Sequence, residues 1–405
     1  MTQKSSHSSP AAGGASPAAG GASPAVDQAS PATSVAFVRT KFSESLPPPA
    51  SEAGMLGWVR KNLFPNVTNT ILTILGVSFI YLVVSKFIQF AIIDGVWSGS
   101  DRAACLGPDV GACWAYTRAY FSQFIYGRFP LDERWRVDLV FAMGLIGLIP
   151  MVIPSVPGKK WNAIFLLGIF PVATFFLLAG GYFGLSEVPT DKWGGLLVTL
   201  VVAITGITAS LPLGILLALG RRSDLPIIKT LSVGFIEIWR GVPLITVLFM
   251  SSVMLPLFLP EGVTFDKLLR ALIGVALFSS AYMAEVVRGG LAAIPRGQFE
   301  GAQALGLSYP KMMTFIVLPQ ALKHVIPGIV NTFIALFKDT TLVSIIGILD
   351  LLGMVQSSFS DSTWATPTTA GTGYLFTAMV YWIFCFSMSR YSAFIEELFN
   401  TGHKR

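Results

Sequence analysis

Three groups of polar residues interrupt apolar segments of this chain. They are the strings EIWRGVPL (Glu237 to Leu244), SSAYMAEVVRGG (Ser279 to Gly290) and KDTT (Lys338 to Thr341). Charged side chains are costly to bury in such surroundings, so they either satisfy one another or bind a polar molecule. The candidate binding residues in these groups are Arg240, Gly241, Pro243, Tyr282, Glu285, Lys338, Asp339, Thr340 and Thr341.

Local spacing predicts two ion pairs within these groups. Arg240 follows Glu237 by three residues and Arg288 follows Glu285 by three, so each pair can meet on one face of a helix. The alternative interpretation is structural, because polar side chains commonly hydrogen-bond across packed membrane helices for less than about 2 kcal/mol each. Taken residue by residue, the sequence leaves both interpretations open.

Composition identifies the elements that must position these residues. Of the 405 residues 53% are hydrophobic and only 12% are charged, and the mean hydropathy is +0.66. Soluble domains carry about 25% charged residues. The chain is therefore predicted to be an all-α, polytopic membrane protein. Its net charge of +6 is explained by basic residues at span ends and in alternate loops, and is not a sign of nucleic-acid binding.

Eight stretches are long enough to cross the hydrocarbon layer, which requires about 20 apolar residues. The predicted spans are approximately Val67–Ile93, Val137–Val156, Asn162–Phe183, Gly194–Leu219, Ile228–Leu259, Leu268–Val287, Ile326–Leu351 and Leu375–Leu398. Three Cys and three His are too few and too scattered to predict a metal site.

A polar loop, Gln298 to Pro319, separates two of these spans. It is predicted to form a short helix that ends at Gly306, which adopts a positive φ without strain, and a second helix capped by Ser308. Pro319 is predicted to interrupt this second helix. Basic residues around the loop place it in the cytoplasm under the positive-inside rule.

This loop resembles the "EAA" coupling loop of the permease subunits of ABC importers. Glu300, Gly306 and the Ile-x-Leu-Pro ending at Pro319 stand at the spacing of that family, with Gly301 where the family usually has Ala. That glycine costs about 1 kcal/mol of helix propensity. The residues that the resemblance assigns to coupling with an ATPase are Glu300, Gly301, Ala302, Gly306, Leu307 and Pro319.

The three polar strings, in this order around the loop, resemble the polar amino acid uptake branch of these importers. The resemblance implies a type I ABC importer permease fold, in which the matching segments line a translocation path between two permease subunits. An amino acid zwitterion needs a cation or helix N-terminus for its carboxylate and an anion or carbonyl for its ammonium group. Arg240 or Lys338 would then meet the carboxylate, and Glu285 or Asp339 the ammonium group.

The resemblance also implies the partners. They are a second, non-identical permease, a cytoplasmic ATPase dimer that uses ATP and Mg, and a periplasmic binding protein that delivers an L-amino acid. This chain is expected to bind no cofactor or metal of its own and to catalyse no reaction. It is expected in the bacterial inner membrane, in contact with lipid, with both termini in the cytoplasm.

Three organisational units are predicted. Residues 1–50 carry repeated Ser-Pro units and are expected to be a disordered tail. Residues 51–192 form an extension with three spans and a long periplasmic loop, and residues 193–405 form the five-span permease core. The extension resembles that of general L-amino acid importers of Gram-negative bacteria. Cys105 and Cys113 lie in the long loop, where they either form a disulfide or remain free thiols.

Three alternative functions are weighed against this one. The first is the same architecture serving a narrower substrate, such as an opine or one cationic amino acid. The second is an ion-coupled secondary transporter, for which the coupling loop would have no role. The third is a membrane-embedded enzyme or scaffold, against which the absence of any catalytic Cys/His/Asp grouping near the span ends argues.

Overall fold

Helices form most of the described part of the chain, as expected where backbone groups must be satisfied without water inside a bilayer. A computed structural model describes residues 54–153, 155–260, 262 and 265–400. Within those ranges it contains no extended strand, only two isolated bridges, Val96 to Cys113 and Gly195 to Asp350. The tail expected over residues 1–50 lies outside the described residues, and the three-unit division remains a prediction.

The first eight helices run from the juxtamembrane region to the first polar string. They are α1 (Gly54–Leu63), α2 (Val67–Ile88), α3 (Trp114–Tyr126), α4 (Arg134–Val152), α5 (Lys159–Ile164), α6 (Phe170–Ala179), α7 (Gly195–Arg221) and α8 (Pro226–Gly241). π-helical turns at Gln89–Ile93 and Phe165–Ile169 continue α2 and join α5 to α6.

The remaining eight helices contain the other two strings and the polar loop. They are α9 (Leu244–Phe249), α10 (Lys267–Ala292), α11 (Arg296–Ala304), α12 (Tyr309–Met312), α13 (Leu318–His324), α14 (Ile326–Asp339), α15 (Leu351–Ser357) and α16 (Thr369–Asn400). Short 3-10 or π segments follow α9, α12 and α14.

Seven helical stretches of the described chain are long and apolar enough to cross a membrane. The count becomes eight if α8 and the helical stretch Leu244–Phe258 are counted as one broken span. The prediction of about eight spans is therefore confirmed. The two halves of the broken span meet at 105°. The break lies at Val242 and Pro243, because proline cannot donate the backbone hydrogen bond that would continue the helix.

One predicted span is shorter than expected. The apolar run from Ile326 was predicted to continue to Leu351, but α14 ends at Asp339 and a 3-10 segment ends at Ile346. Gly347, with φ +78°, terminates that segment in the left-handed region that glycine tolerates. The residues that follow belong to α15, a separate short helix.

Helix α10 is the central element of the core. It packs against α7, α8, α9, α13 and α14. Buried residues of α4 and α6 such as Val137 and Leu178 join Val198 and Val202 of α7 in one apolar cluster. Helices α4, α6 and α7 thus share a hydrophobic interior.

Residues 94–130, here called the cap, form a compact part of the structure rather than an open loop. Cys105 and Cys113 are joined by a disulfide, with their Cα atoms 5.8 Å apart. The backbone N–H of Cys113 donates to Oγ1 of Thr372 on α16 at 2.8 Å. Apolar cap residues pack with Leu351 and Met354 of α15 in a second buried cluster.

Two tyrosines of α3 connect the cap to the segment between α15 and α16. The Tyr116 hydroxyl lies 2.6 Å from Oγ of Ser358, and burial raises the pKa of Tyr116 to about 12. Tyr120 donates to the carboxylate of Asp361, and this hydrogen bond lowers the pKa of that carboxyl. The cap is thus bound to the core by polar contacts as well as by apolar packing.

Candidate functional site

Two of the three polar strings meet at one place, which we call the charge cluster: Arg221, Glu237, Arg240, Glu285 and Arg288. Arg221 ends α7, Glu237 and Arg240 lie near the end of α8, and Glu285 and Arg288 lie on α10. The carboxylate of Glu285 is 2.8 Å from Nη1 of Arg221 and 2.9 Å from Nη2 of Arg288. The predicted contact between Glu285 and Arg288 is therefore present.

The predicted pair of Arg240 with Glu237 is wrong. Glu237 instead lies 3.0 Å from Nη1 of Arg221, and Arg240 lies 3.7 Å from Oε2 of Glu285 with its guanidinium over the ring of Tyr282 at 5.7 Å. Spacing along α8 permits the local pair, but the end of α7 brings a competing guanidinium to Glu237. Tertiary packing, rather than helix periodicity, selects the partners.

The balance of charges indicates which arginine of the charge cluster can bind a further anion. Three arginines face two glutamates, so the charge cluster carries one surplus positive charge. Arg240 makes the longest of the four ion pairs, and its side chain is 35% exposed. A ligand carboxylate can therefore approach Arg240 without displacing the shorter contacts of Arg221 and Arg288.

The third string, Lys338 to Thr341, forms the turn at which α14 becomes a 3-10 helix. Lys338 is exposed, whereas Asp339 and Thr341 are half-buried. Thr340 is only 1% exposed, and its hydroxyl donates to the carbonyl of Phe337 at 2.8 Å. The four residues therefore do not share one face, and Thr340 points into the protein.

Gly241 and Pro243 bracket the break between α8 and α9, where the sequence predicts unwinding. Gly241 is the last residue of α8, and Pro243 immediately precedes α9. This break places Arg240 at the end of a helix.

The polar loop has the two-helix form that its sequence predicts, and α11 ends in a Schellman motif. The N–H of Leu307 donates to the carbonyl of Ala302 at 3.2 Å, and that of Gly306 to the carbonyl of Gln303 at 2.9 Å. Gly306 has φ +72°, and an added Cβ would meet no atom within 4 Å. The glycine is therefore required by backbone conformation and not by crowding.

Two local expectations for this loop are wrong. Ser308 occupies the N-cap position of α12, but its side chain makes no capping hydrogen bond. Pro319 does not interrupt the second helix, because helical structure continues from Tyr309 through a π turn at Met313–Val317 to His324. The π turn directly before α13 changes the hydrogen-bond register there, and such a local adjustment lets a helix continue past a proline.

The loop packs on the carboxyl-terminal ends of α7 and α10. Ala302 and Val317 join Ala218 and Met283 in a third apolar cluster. Arg222, next to the charge cluster member Arg221, donates to the carbonyl of Leu291 at 2.9 Å, and its guanidinium lies 5.3 Å from the centre of the Phe299 ring. Of these two adjacent arginines, Arg221 thus belongs to the charge cluster and Arg222 contacts the loop.

A cavity of about 350 Å³ opens beside α11. Its lining includes Arg222, Arg296, Phe299 and Glu300. The sequence pattern assigns Glu300 to coupling but indicates only a basic turn at the end of a span for Arg221 and Arg222. Basic residues are common at the ends of membrane spans, so the sequence does not indicate which partners these two arginines contact. No group of three His, Cys, Asp or Glu side chains suited to a metal ion occurs in the described part of the chain.

Comparison with known proteins places these features in a family. Residues 210–399 match the family described as "Binding-protein-dependent transport system inner membrane component". The chain is 52% identical over 366 residues to the Escherichia coli (strain K12) "inner membrane amino-acid ABC transporter permease protein YhdY", covering 90% of this chain and 99% of that protein.

A second relative also matches along its whole length. It is the Rhodobacter capsulatus "glutamate/glutamine/aspartate/asparagine transport system permease protein BztC", 39% identical over 443 residues, covering 92% of this chain and 100% of that protein. A crystal structure of an "amino acid ABC transporter with histidines" aligns with 50% of this chain and 91% of its own, with 29% identity and a TM-score of 0.44. The matches to full-length relatives, which include the extension as well as the core, show that this chain belongs to the inner-membrane permease components of binding-protein-dependent ABC transport systems.

Proposed function

We propose that this chain is the transmembrane permease subunit of an ATP-driven importer of L-amino acids. The observation that carries the proposal is the match to two amino-acid permeases over at least 90% of the chain. The compact α11 loop on the ends of α7 and α10 supports it, since a permease must receive force from a motor outside the membrane.

The partners follow from the same family. A second, non-identical permease completes the path, and an ATPase dimer binds the loop around Glu300 and hydrolyses ATP with Mg. A binding protein delivers the amino acid on the opposite side of the bacterial inner membrane. In this arrangement the loop and both termini face the cytoplasm.

Transport proceeds by alternating access. When ATP closes the ATPase dimer, α11 moves with it, and the helices packed on the loop move as rigid bodies. The direct route runs from Phe299 through Arg222 to the end of α7, and from Arg221 to Glu285 on α10. The coupling loop and the charge cluster are thus connected by contacts within one chain.

Arg240 is the residue we assign to the substrate carboxylate. It is the least tightly paired cation of the charge cluster, and it stands on the aromatic face of Tyr282. Lys338, exposed at the end of α14, is a second cation of the path, and Asp339 is the remaining candidate for the ammonium group. Glu285 is fully engaged with three guanidinium groups and serves to hold them in place.

The coupling loop provides the test of the proposed function. In the complete transporter reconstituted in proteoliposomes, Glu300→Ala and Gly306→Leu are expected to retain ATP hydrolysis while uptake of radiolabelled L-amino acid falls at least tenfold. Leucine at residue 306 must adopt a positive φ, which strains the end of α11.

Gly297→Ala is the matched control, because Gly297 lies inside α11, is not among the residues assigned to coupling, has open space for a Cβ, and should gain about 1 kcal/mol of helix propensity. Normal uptake in both Glu300→Ala and Gly306→Leu would contradict the coupling role. The same vesicles, supplied with L-amino acids that have acidic, amide, cationic and apolar side chains, measure the substrate range. Uptake of a single member would indicate a narrower importer.

A further inference from the structure

A buried carboxylate, Asp350, lies outside the charge cluster and has no part in the transport scheme above. Its side chain is 0% exposed. Oδ1 accepts from the backbone N–H of Gly353 at 2.9 Å and Oδ2 from that of Leu352 at 3.2 Å, so Asp350 caps α15. Burial raises the pKa of this carboxyl, and the backbone donors oppose that shift.

Capping explains only part of its contacts. The hydroxyl of Tyr381, on α16, also donates to Oδ2 of Asp350 at 3.1 Å. The same Tyr381 oxygen lies 3.2 Å from Oγ1 of Thr340. Because the single proton of Tyr381 is directed at Asp350, Tyr381 accepts there from the Thr340 hydroxyl, which shares its proton with the carbonyl of Phe337. Asp350, Tyr381 and Thr340 thus form a hydrogen-bonded series that joins α15, α16 and the end of α14.

The surroundings hold this series in one geometry. The Tyr381 ring packs edge-on against Phe337 at 5.3 Å, on the last turn of α14. On the other side, the N–H of Leu351 donates to Oγ1 of Thr199 on α7 at 3.0 Å. The start of α15 is therefore fixed to α7, and through Tyr381 it fixes Thr340.

Thr340 is the buried member of the Lys338–Thr341 turn, and Lys338 is its exposed member. When the buried residue of a turn is fixed by hydrogen bonds, the exposed residues of the same turn keep one orientation. We propose that Asp350 and Tyr381 are positioning residues for transport, which act through Thr340 to orient Lys338 and Thr341 at the translocation path. This inference rests on the proposed function, because that function places Lys338 on the path.

The test compares Tyr381→Phe, Thr340→Val and the double variant in the reconstituted complete transporter. The probe is the L-amino acid of the panel above that the wild-type transporter takes up fastest, and the readout is substrate transported per ATP hydrolysed. Thr340→Val is expected to lower this ratio about fivefold, the effect of losing one hydrogen bond. Tyr381→Phe should lower it at least as much, because it also removes the hydrogen bond to Asp350. The double variant should be no worse than Tyr381→Phe alone, because that substitution already removes the contact that Thr340→Val removes.

Matched variants separate positioning from general stability. Thr340→Ser keeps the hydroxyl and should retain at least half of the wild-type ratio. Thr377→Val removes a buried hydroxyl of α16 that bonds only to its own helix, at the carbonyl of Gly373, and should keep the wild-type ratio. The yield of assembled complex should remain unchanged in all of them. Thr340→Val and Thr377→Val, which each lose one buried hydroxyl, should lower the thermal midpoint by similar amounts.

A wild-type ratio in Tyr381→Phe, or additive losses in the double variant, would overturn the positioning role. If Tyr381→Phe fails to assemble, the comparison of Thr340→Val with Thr340→Ser decides the question by itself. Lys338→Met tests the path separately. Normal uptake in that variant would remove Lys338 from the proposed path, whereas non-additivity of Tyr381 and Thr340 would still demonstrate their link.

Discussion

At the residue scale, the charge cluster depends on a single carboxylate. Glu285 is 17% exposed at its side chain and contacts three guanidinium groups, those of Arg221, Arg240 and Arg288. Charges that leave water are costly unless they are paired, and removing one partner leaves the others uncompensated. Glu285 therefore stabilises the approach of α7, α8 and α10, whereas Arg240 makes the longest of its three contacts and stays partly exposed.

This difference predicts that substitutions of Glu285 and Arg240 affect different properties, stability in the first case and uptake in the second. Glu285→Gln should destabilise the protein by roughly 3 kcal/mol, because three cations lose their shared partner. Arg240→Gln should cost less than about 1 kcal/mol of stability, because its ion pair is long and partly exposed, yet it should lower uptake at least tenfold. Thermal unfolding in detergent measures the first effect and vesicle uptake the second.

Glu237→Gln is the control for this comparison. Its side chain is 56% exposed and has one arginine partner, so its loss should change stability by less than about 1 kcal/mol. If Glu285→Gln proves no less stable than Glu237→Gln, the central role of Glu285 is wrong. Full uptake by Arg240→Gln would exclude it as the carboxylate-binding residue.

At the element scale, the contact of α7 with α10 organises the core. Gly214 of α7 faces Met283 and Ala284 of α10, and a Cβ there would lie 2.7 Å from Cβ of Met283 and 3.0 Å from the backbone nitrogen of Ala284. The helices approach so closely because glycine carries no side chain, a usual feature of packed membrane helices. The same contact aligns Arg221 with Glu285 near the end of both helices.

Gly214→Ala should therefore separate α7 from α10 and destabilise the protein by about 1–3 kcal/mol, the usual cost of overpacking. Gly234→Ala on α8 is the matched control. A Cβ there meets nothing within 4 Å, so alanine should gain up to about 1 kcal/mol of helix propensity. Unfolding midpoints of the two variants should shift in opposite directions, and a shift in the same direction would contradict the close packing.

At the scale of the whole molecule, the cap packs against α15 and the start of α16. The contact between Tyr120 and Asp361 spans 241 residues of sequence, and that between Tyr116 and Ser358 spans 242. Both groups of contacts lie beside α15, whose first residues also hold the Tyr381 series. Loosening of the cap is thus expected to reach the Lys338–Thr341 turn through α15.

The hydrogen bond between Tyr120 and Asp361 should lose its stabilising effect as the solution becomes acidic. Its hydrogen bond lowers the pKa of Asp361 below the ordinary value of about 3.9, so its stabilisation is fully present above that value and is lost as the pH falls through the lowered pKa. The difference in urea midpoint between the wild type and Tyr120→Phe should be constant from pH 7 to about 5. This difference in urea midpoint should become smaller below about pH 4.

Asp361→Asn provides the control, since its amide does not titrate. In that background the effect of Tyr120→Phe should stay the same across the whole pH range. A wild-type difference that widens in acid would have the wrong sign for a lowered pKa and would exclude this explanation.

The sequence alone determined the features that depend on local chemistry. Apolar runs of sufficient length specify the spans, since the bilayer imposes one length scale on each. Gly306 specifies the end of α11, because few other residues adopt its positive φ. Pro243 specifies the break after α8, because it lacks a backbone donor.

Only the tertiary structure decided which polar groups meet. Arg221 reaches Glu237 across 16 residues and Glu285 across 64, and no periodicity in the sequence encodes either distance. The sequence predicts that Thr340 lines the translocation path together with Lys338 and Asp339. Packing against α16 instead places its hydroxyl next to that of Tyr381. Helix spacing defines which neighbours are possible, whereas the packing of distant helices selects among them, because charged groups take the partners that burial leaves within reach.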